Sequence, residues 1–544
     1  MRWANAALAA LVVLACAACA GGGSDDADGG TDKAELASAT AVASARYLTG
    51  APALADGSYR WLVRTTGPPP TIAQENRARG TTSWRLPGSS EEIGGEAHGT
   101  IAGYVSAQSA TAGETERIYV DAQGARTVTI EIFRMGWYAG SGGRLVLETG
   151  KLTLRRQPPC THSTWTGLTE CRWRPTLAVE LPSALASGVY IAKLTASTGA
   201  QSDCMFVLRA ARAPALLVNI PTATYEAYNG WGGDSLYPGG DRVGATGTSQ
   251  GVEVSYDRPY ATRTGAGQFF IREVAVVRFL ERYGYPVGYT SLDSLDSDPG
   301  QLAGVRAVLD AGHSEYWSTT DERALAGALA RGTSLVFLSS DTMAWRVRFM
   351  PATRASSEAG APAHTIVAYK EYAVRDPDRA APTGLFPRGG APLVGSAYDG
   401  CITPRVKQLG PPVYRYYPWR PSPALQPSWL FAHTGITART VIGGIVGYEL
   451  DERTYGAPID TVVVGESSGT QCGYGHEPAP VYGALAQTTL YSTPKRAIVF
   501  ATGALGWIYA LSPVAQASPD APRKPDPRVV AMTRNVLAMA LSRR

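Results

Sequence analysis

His313 and Glu315 stand one residue apart in "VLDAGHSEYWSTTDERALAGAL", between an apolar run and the mouth of a helix. An imidazole and a carboxylate so spaced can hold a metal, activate water or serve only to cap the helix. Capping accounts for Ser318 or Thr319 with Asp321 or Glu322, because a side-chain oxygen satisfies an otherwise orphaned amide. It leaves His313 and Glu315 without a role. Two residues do not fix a metal, so further donors have to come from elsewhere in the chain.

Those donors follow the apolar runs. "LLVNIP" leads into "TATYEAYNGWGGDSLY", "AVLDAG" into "HSEYWS", "LVFLSS" into "DTMAWR", and "TVIGGIVG" into "YELDE". Sites in parallel sheets lie beyond the carboxyl ends of the strands. His313, Glu315, Asp341 and Tyr228 are therefore expected in one crevice. A GxSxG match at Gly465–Gly469 offers Ser467 as a nucleophile. A nucleophile elbow needs a helix directly after the serine, and "TQCGYGHEPAPVYG" is too rich in Gly and Pro to supply one.

The elements that must position these residues change rhythm along the chain. Residues 99 to 208 alternate at period two in segments such as "ERIYVDA", "TVTIEIFRMGWYAG" and "GVYIAKLTAS", which predicts an antiparallel β-sandwich. Trp137 in "RMGWY" is expected to face its core. After Pro214 the runs "ALLVNIP", "RAVLDAG", "TSLVFLSS", "DTVVVGE" and "RAIVFATG" are continuous, as in strands buried on both faces. Helical stretches lie between the early ones. The expected fold is an α/β domain with a mostly parallel sheet, preceded by the sandwich. "DPRVVAMTRNVLAMALSRR" reads as a closing helix started by Asp526 and Pro527. The expected domains are 1–15 signal peptide, 16–70 tether and N-terminal extension, 71–210 sandwich, and 211–544 α/β domain.

Composition narrows the function classes. The chain has 544 residues, 44% hydrophobic and 18% charged, with a net charge of +4 and no basic cluster interleaved with aromatics. Nucleic acid is not an expected partner. Arg2 and the apolar stretch 6–15 have signal-peptide character, and "VLAC" places Cys16 where a bacterial lipoprotein is lipidated, with Cys19 as alternate. The expected location is thus the cell envelope, with a membrane contact through the lipid. Export permits disulfides. Cys160 and Cys171 bracket a short loop and are expected to pair; Cys401 and Cys472 form a candidate second bridge, leaving Cys204 as a buried thiol.

"IPTATYEAYNGWGGDSLY", "VSYDRPY", "FLERYGYPVGYTS", "AGHSEYWS", "FLSSDTMAWRVRF" and "GYELD" occur in this order. Together they resemble the large-subunit domain of N,N-dimethylformamidase and its relatives. "GYVSAQSATAGE" and "RMGWYAGSGGR" resemble the β-sandwich that precedes it. The resemblance implies a glutamine-amidotransferase-like α/β fold and an amide hydrolase with a single Fe(III) held by two tyrosinates and a glutamate. The glutamate corresponds to Glu315, with His313 beside the metal as an acid–base group. Asp341 stands where the family has an asparagine that faces substrate, and Glu449 matches a later acidic residue at the site. The tyrosines would come from "TYEAYN" and "VSYDRPY": Tyr228 and Tyr260, with Tyr225 and Tyr256 as alternates. Phenolate and carboxylate are hard donors suited to a ferric ion. Such an ion would polarise the carbonyl of a small, non-peptide amide. Expected partners are that amide and either a second copy of the chain or a separate small subunit. A non-catalytic envelope protein that binds a surface ligand such as a glycan is the alternative.

Overall fold

Alternating side chains build the first half. The computed structural model describes residues 58–87, 101–238, 250–262, 264–351, 363–401, 404–405, 413–414, 416–472, 482–512 and 521–542. A seven-stranded sheet is centred on Thr127–Met135, Gly188–Ala196 and Gln201–Leu208, which pair antiparallel. It packs on a three-stranded antiparallel sheet of Ile101–Val105, Thr115–Ala122 and Pro175–Glu180. Ile118, Val120, Ile130, Ile132, Val179 and Leu194 fill the space between, all at or near zero exposure. Trp137 does not face this core. It is half-buried at the seam with the second half, where Arg278 and Arg282 lie over its ring.

The second half is organised by one nine-stranded sheet. Its strands in chain order are β1 (Leu216–Ile220), β2 (Val287–Ser291), β3 (Ala307–His313), β4 (Ser334–Ser340), β5 (Tyr417–Pro421), β6 (Ile442–Val446), β7 (Val462–Cys472), β8 (Tyr482–Ser492) and β9 (Ile498–Ala501). The order across the sheet is β2-β1-β3-β4-β9-β8-β7-β5-β6. Pairing is parallel from β2 to β9 and antiparallel from β9 to β6.

This overturns the expected fold class. The chain is mostly β, with mixed and antiparallel sheets, and is not a mostly parallel α/β domain of the glutamine-amidotransferase kind. A continuous apolar run reports burial on both faces and says nothing of strand direction. "DTVVVGE" lies in β7, which forms a hairpin with β8. Among the described residues, the helices between β4 and β9 are single turns such as Ala391–Val394 and Ser428–Phe431, too short to serve as crossovers.

Three longer helices cover the sheet. Val274–Arg282 and Pro527–Leu541 share a core with Val218, Leu309 and Val336, whereas Thr319–Arg331 shares another with Leu217, Val308 and Leu335. Neighbouring residues along each strand therefore serve opposite faces. Ser318 caps Thr319–Arg331 in a capping box with Asp321, and Asp526 caps the last helix ahead of Pro527. The GxSxG segment continues as strand in β7. A Cβ on Gly465 would come within 2.0 Å of the Trp419 ring, so this glycine serves packing and no elbow forms.

From Leu54 to Arg544 the chain is one compact unit. A single core takes Phe133, Met135, Val189 and Val207 from the sandwich together with Leu216, Phe269 and Val277. Arg134 makes a two-pronged pair with Glu281 at 2.8 and 3.0 Å, both side chains fully buried. Cys160 and Cys171 are joined in a disulfide, and Cys204 is a buried thiol. Cys16 and the side chains of Cys401 and Cys472 lie outside the described residues. No described helix is long and apolar enough to cross a membrane.

Candidate functional site

The parallel half of the sheet presents the carboxyl ends of β1, β3 and β4 along one edge, and the polar residues gather there. His313 is the last residue of β3, and Asp341 follows β4 with φ of 53°. Tyr228 closes the short helix Thr222–Ala227 that follows β1. Glu449 begins the strand Glu449–Glu452 and is tied to β4 by Ser340, whose hydroxyl donates to the Glu449 carbonyl at 2.9 Å. The Asp341 amide donates to Asp451 at 2.7 Å, which fixes the turn.

Glu315 is held from several sides. Its amide donates to the Thr224 hydroxyl at 3.0 Å, and its carbonyl accepts from the Trp345 amide at 2.9 Å. The Tyr228 hydroxyl donates to Oε2 at 2.9 Å and the Tyr237 hydroxyl to Oε1 at 2.5 Å. The two phenol rings stack with centroids 4.4 Å apart. Tyr316 donates to the Tyr237 oxygen at 2.7 Å, and the Lys370 ammonium lies 3.4 Å from the Tyr237 ring centre.

His313 Nε2 sits among the acids, 3.4 Å from Glu315 Oε2, 3.7 Å from Asp341 Oδ2 and 3.9 Å from Glu449 Oε1. All four side chains are buried, while Tyr228, Tyr237 and Tyr448 are half-buried and form a phenolic rim. Among the described residues, His313 Nε2, Asp341 Oδ1 and Glu449 Oε2 have no hydrogen-bond partner. Orphaned polar atoms at such depth are costly unless a ligand meets them.

The electrostatics agree with that reading. Burial, then the Asp341 carboxyl, pushes Glu315 up to about 7 against the pull of His313 and Lys370. Burial raises Asp341 to about 7, and burial with Asp341 and Glu315 drives Glu449 well above the carboxylate range. Burial holds the His313 imidazole down at about 4. Both Tyr228 and Tyr237 are raised by burial and by Glu315. Lys370 and Arg272 pull the three carboxyls down, but burial and the carboxyls' mutual repulsion outweigh them.

Tyr260 is not part of this constellation. Its hydroxyl donates to Gln108 of the sandwich at 2.9 Å, and its ring meets Tyr225 edge-on. Tyr225 donates to Glu273, and Tyr256 packs with Ala223 and Val254 beneath the site. The second phenol on Glu315 is Tyr237, the last residue of "NGWGGDSLY". That loop takes its course from distant residues. Arg258, paired with Glu226 at 2.7 Å, donates to the carbonyls of Asn229, Trp231 and Asp234. The disulfide-closed hairpin leans on the loop through His162, 3.7 Å from Asp234.

The residues fit a hard cation. Two phenols and a carboxylate converge, and unpaired carboxyl oxygens lie beside them, a donor set of the hard-oxygen kind. A family model described as N,N-dimethylformamidase beta subunit-like, C-terminal, matches residues 129–521. It spans both halves, from within the Thr127–Met135 strand to just before the last helix. No curated protein matches the chain.

Proposed function

Because the chain belongs to the N,N-dimethylformamidase beta-subunit-like family, we propose that its buried pocket is a ferric site that hydrolyses the C–N bond of a small amide. One observation carries this reading: two phenols, Tyr228 and Tyr237, each meet a different oxygen of Glu315. These three residues would hold the iron. When bound, it supplies a Lewis acid that polarises an amide carbonyl and acidifies water.

The remaining groups act on the substrate. His313 Nε2, without a hydrogen-bond partner among the described residues, can take up the proton released by the attacking water. Glu449 Oε2, likewise without one, can hand a proton to the departing amine. Asp341 can orient an amide N–H through its unpaired oxygen. Lys370 and Tyr316 hold the Tyr237 phenol in place. The fully buried floor excludes bulk water, which strengthens each of these interactions.

The Cys160–Cys171 bond supports an oxidising compartment, in keeping with export and a lipid anchor at Cys16. The family takes its description from a beta subunit, which supports a separate subunit as partner.

The test is iron content together with the visible spectrum and amine release from N-substituted formamides. Near-stoichiometric iron, a phenolate-to-iron band lost in Tyr228→Phe and Tyr237→Phe, and amine release lost in Glu315→Ala are expected. A colourless protein that takes up no ferric iron would end the proposal.

A further inference from the structure

The iron reading takes its metal donors from Tyr228, Tyr237 and Glu315, and the three groups it uses to move protons and orient substrate, His313, Glu449 and Asp341, are themselves possible metal donors. One donor atom each from His313, Asp341 and Glu449 lie within 4.8 Å of one another, and all three side chains are buried. Each side chain also has a polar atom without a partner among the described residues: His313 Nε2, Asp341 Oδ1 and Glu449 Oε2. The nearby cations do not complete them. Arg272 donates to the Tyr509 hydroxyl at 2.8 Å and lies over the Tyr448 ring, while Lys370 donates to the Leu236 carbonyl and lies over Tyr237.

We propose that His313, Asp341 and Glu449 form a second cation site, selective for a first-row divalent ion such as Zn²⁺, beside the ferric site. The donor chemistry is one imidazole and two carboxylates, the three-ligand set that leaves open positions on such an ion. Two donors at about 2.1 Å from one ion can stand up to about 4.2 Å apart. His313 Nε2 stands 3.7 Å from Asp341 Oδ2 and 3.9 Å from Glu449 Oε1, the carboxyl oxygens opposite the unpartnered ones, and both separations lie inside that span. Glu315 Oε2 lies between the two sets, 2.9 Å from the Tyr228 oxygen and 3.4 Å from His313 Nε2. An ion held by His313 Nε2 occupies the nitrogen that would take up the proton, so the ion competes with turnover.

The proposal rests on the ferric reading only in assigning the donors that reading does not place on the iron. The experiment strips the full chain with a chelator, restores ferric iron, adds Zn²⁺ and counts both metals by mass spectrometry. One iron and one zinc per chain are expected. Asp341→Asn and Glu449→Gln should each weaken zinc at least about ten-fold. Iron and the phenolate band should persist in both, which also shows that the variants fold. Zinc that displaces iron, or that fails to bind beside it, overturns the second site. So does zinc retained undiminished by Asp341→Asn. Zinc that binds and is lost in Asp341→Asn while no iron binds would sink the ferric reading and leave this site standing.

Discussion

Tyr237 donates to Glu315 Oε1 at 2.5 Å from a loop 78 residues earlier in the chain. The contact joins a carboxylate fixed at the end of the sheet to a phenol carried by a glycine-rich turn. Lys370, over the face of the same ring, closes the stack from the other side.

The two tyrosines are distinguishable. Tyr237→Phe should cut ferric iron uptake by an order of magnitude or more, because it removes an oxygen donor from the set around Glu315. Tyr260→Phe should leave uptake and band position unchanged, since its hydroxyl is engaged with Gln108. Iron titration of both variants followed in the visible region checks this.

Arg258 and Glu226 are both fully buried, so breaking the pair strands a charge. Arg258→Ala should cost about 3–5 kcal/mol in denaturant unfolding. Replacing both, as Glu226→Gln with Arg258→Met, should recover part of that loss. Equal destabilisation by the single and double replacements would rule out the stranded charge as the cause.

The Cys160–Cys171 bridge closes a loop of sequence separation 11. The hairpin inside it bonds the Val252 and Glu253 amides through the Thr166 carbonyl and presses on Gly233 through Thr169. Replacing both cysteines by serine should cost about 2–3 kcal/mol. It should also speed amide hydrogen exchange across residues 231–237, read by mass spectrometry. Unchanged exchange there would show that Arg258 alone holds the loop.

His364 supplies a pH dependence away from the pocket. Burial works to lower its pKa, but the Asp257 carboxylate, 2.8 Å away, with Asp293 and Glu170 farther off, raises it above the ordinary 6.5. A raised folded value means the contribution to stability is complete below pH 6.5 and is lost as pH rises through the higher value. Asp257→Asn should flatten that slope in unfolding free energy measured between about pH 5 and 9.

Much of the site was legible because each strand end announces it. His313, Glu315 and Asp341 directly follow apolar runs, and Glu449 follows the apolar "IGGIVG" by one residue. Strand direction was not legible, since the apolar run that opens β7, Val462 to Val464, reads like the one in β4 although one strand is antiparallel to its neighbours and the other parallel. Tyr237 was hidden for a different reason. Its turn is rich in Gly, Asp and Ser, which specify a change of direction but not its destination. The destination is set by Arg258 and by a hairpin in the preceding half, contacts that no local pattern carries. Tyr260 satisfied the same motif logic, yet the sandwich claimed its hydroxyl through Gln108.

The core shared by the sandwich and the nine-stranded sheet bears on how this chain can be inherited or transplanted. Phe133, Val189 and Val207 pack with Leu216 and Val277, and Arg134 reaches Glu281 across the seam. Neither half is a portable module. A graft of the pocket-bearing half alone would expose a greasy face and a buried carboxylate stripped of its guanidinium. Recombination in this family should therefore exchange both halves together, and heating should melt them in a single cooperative step.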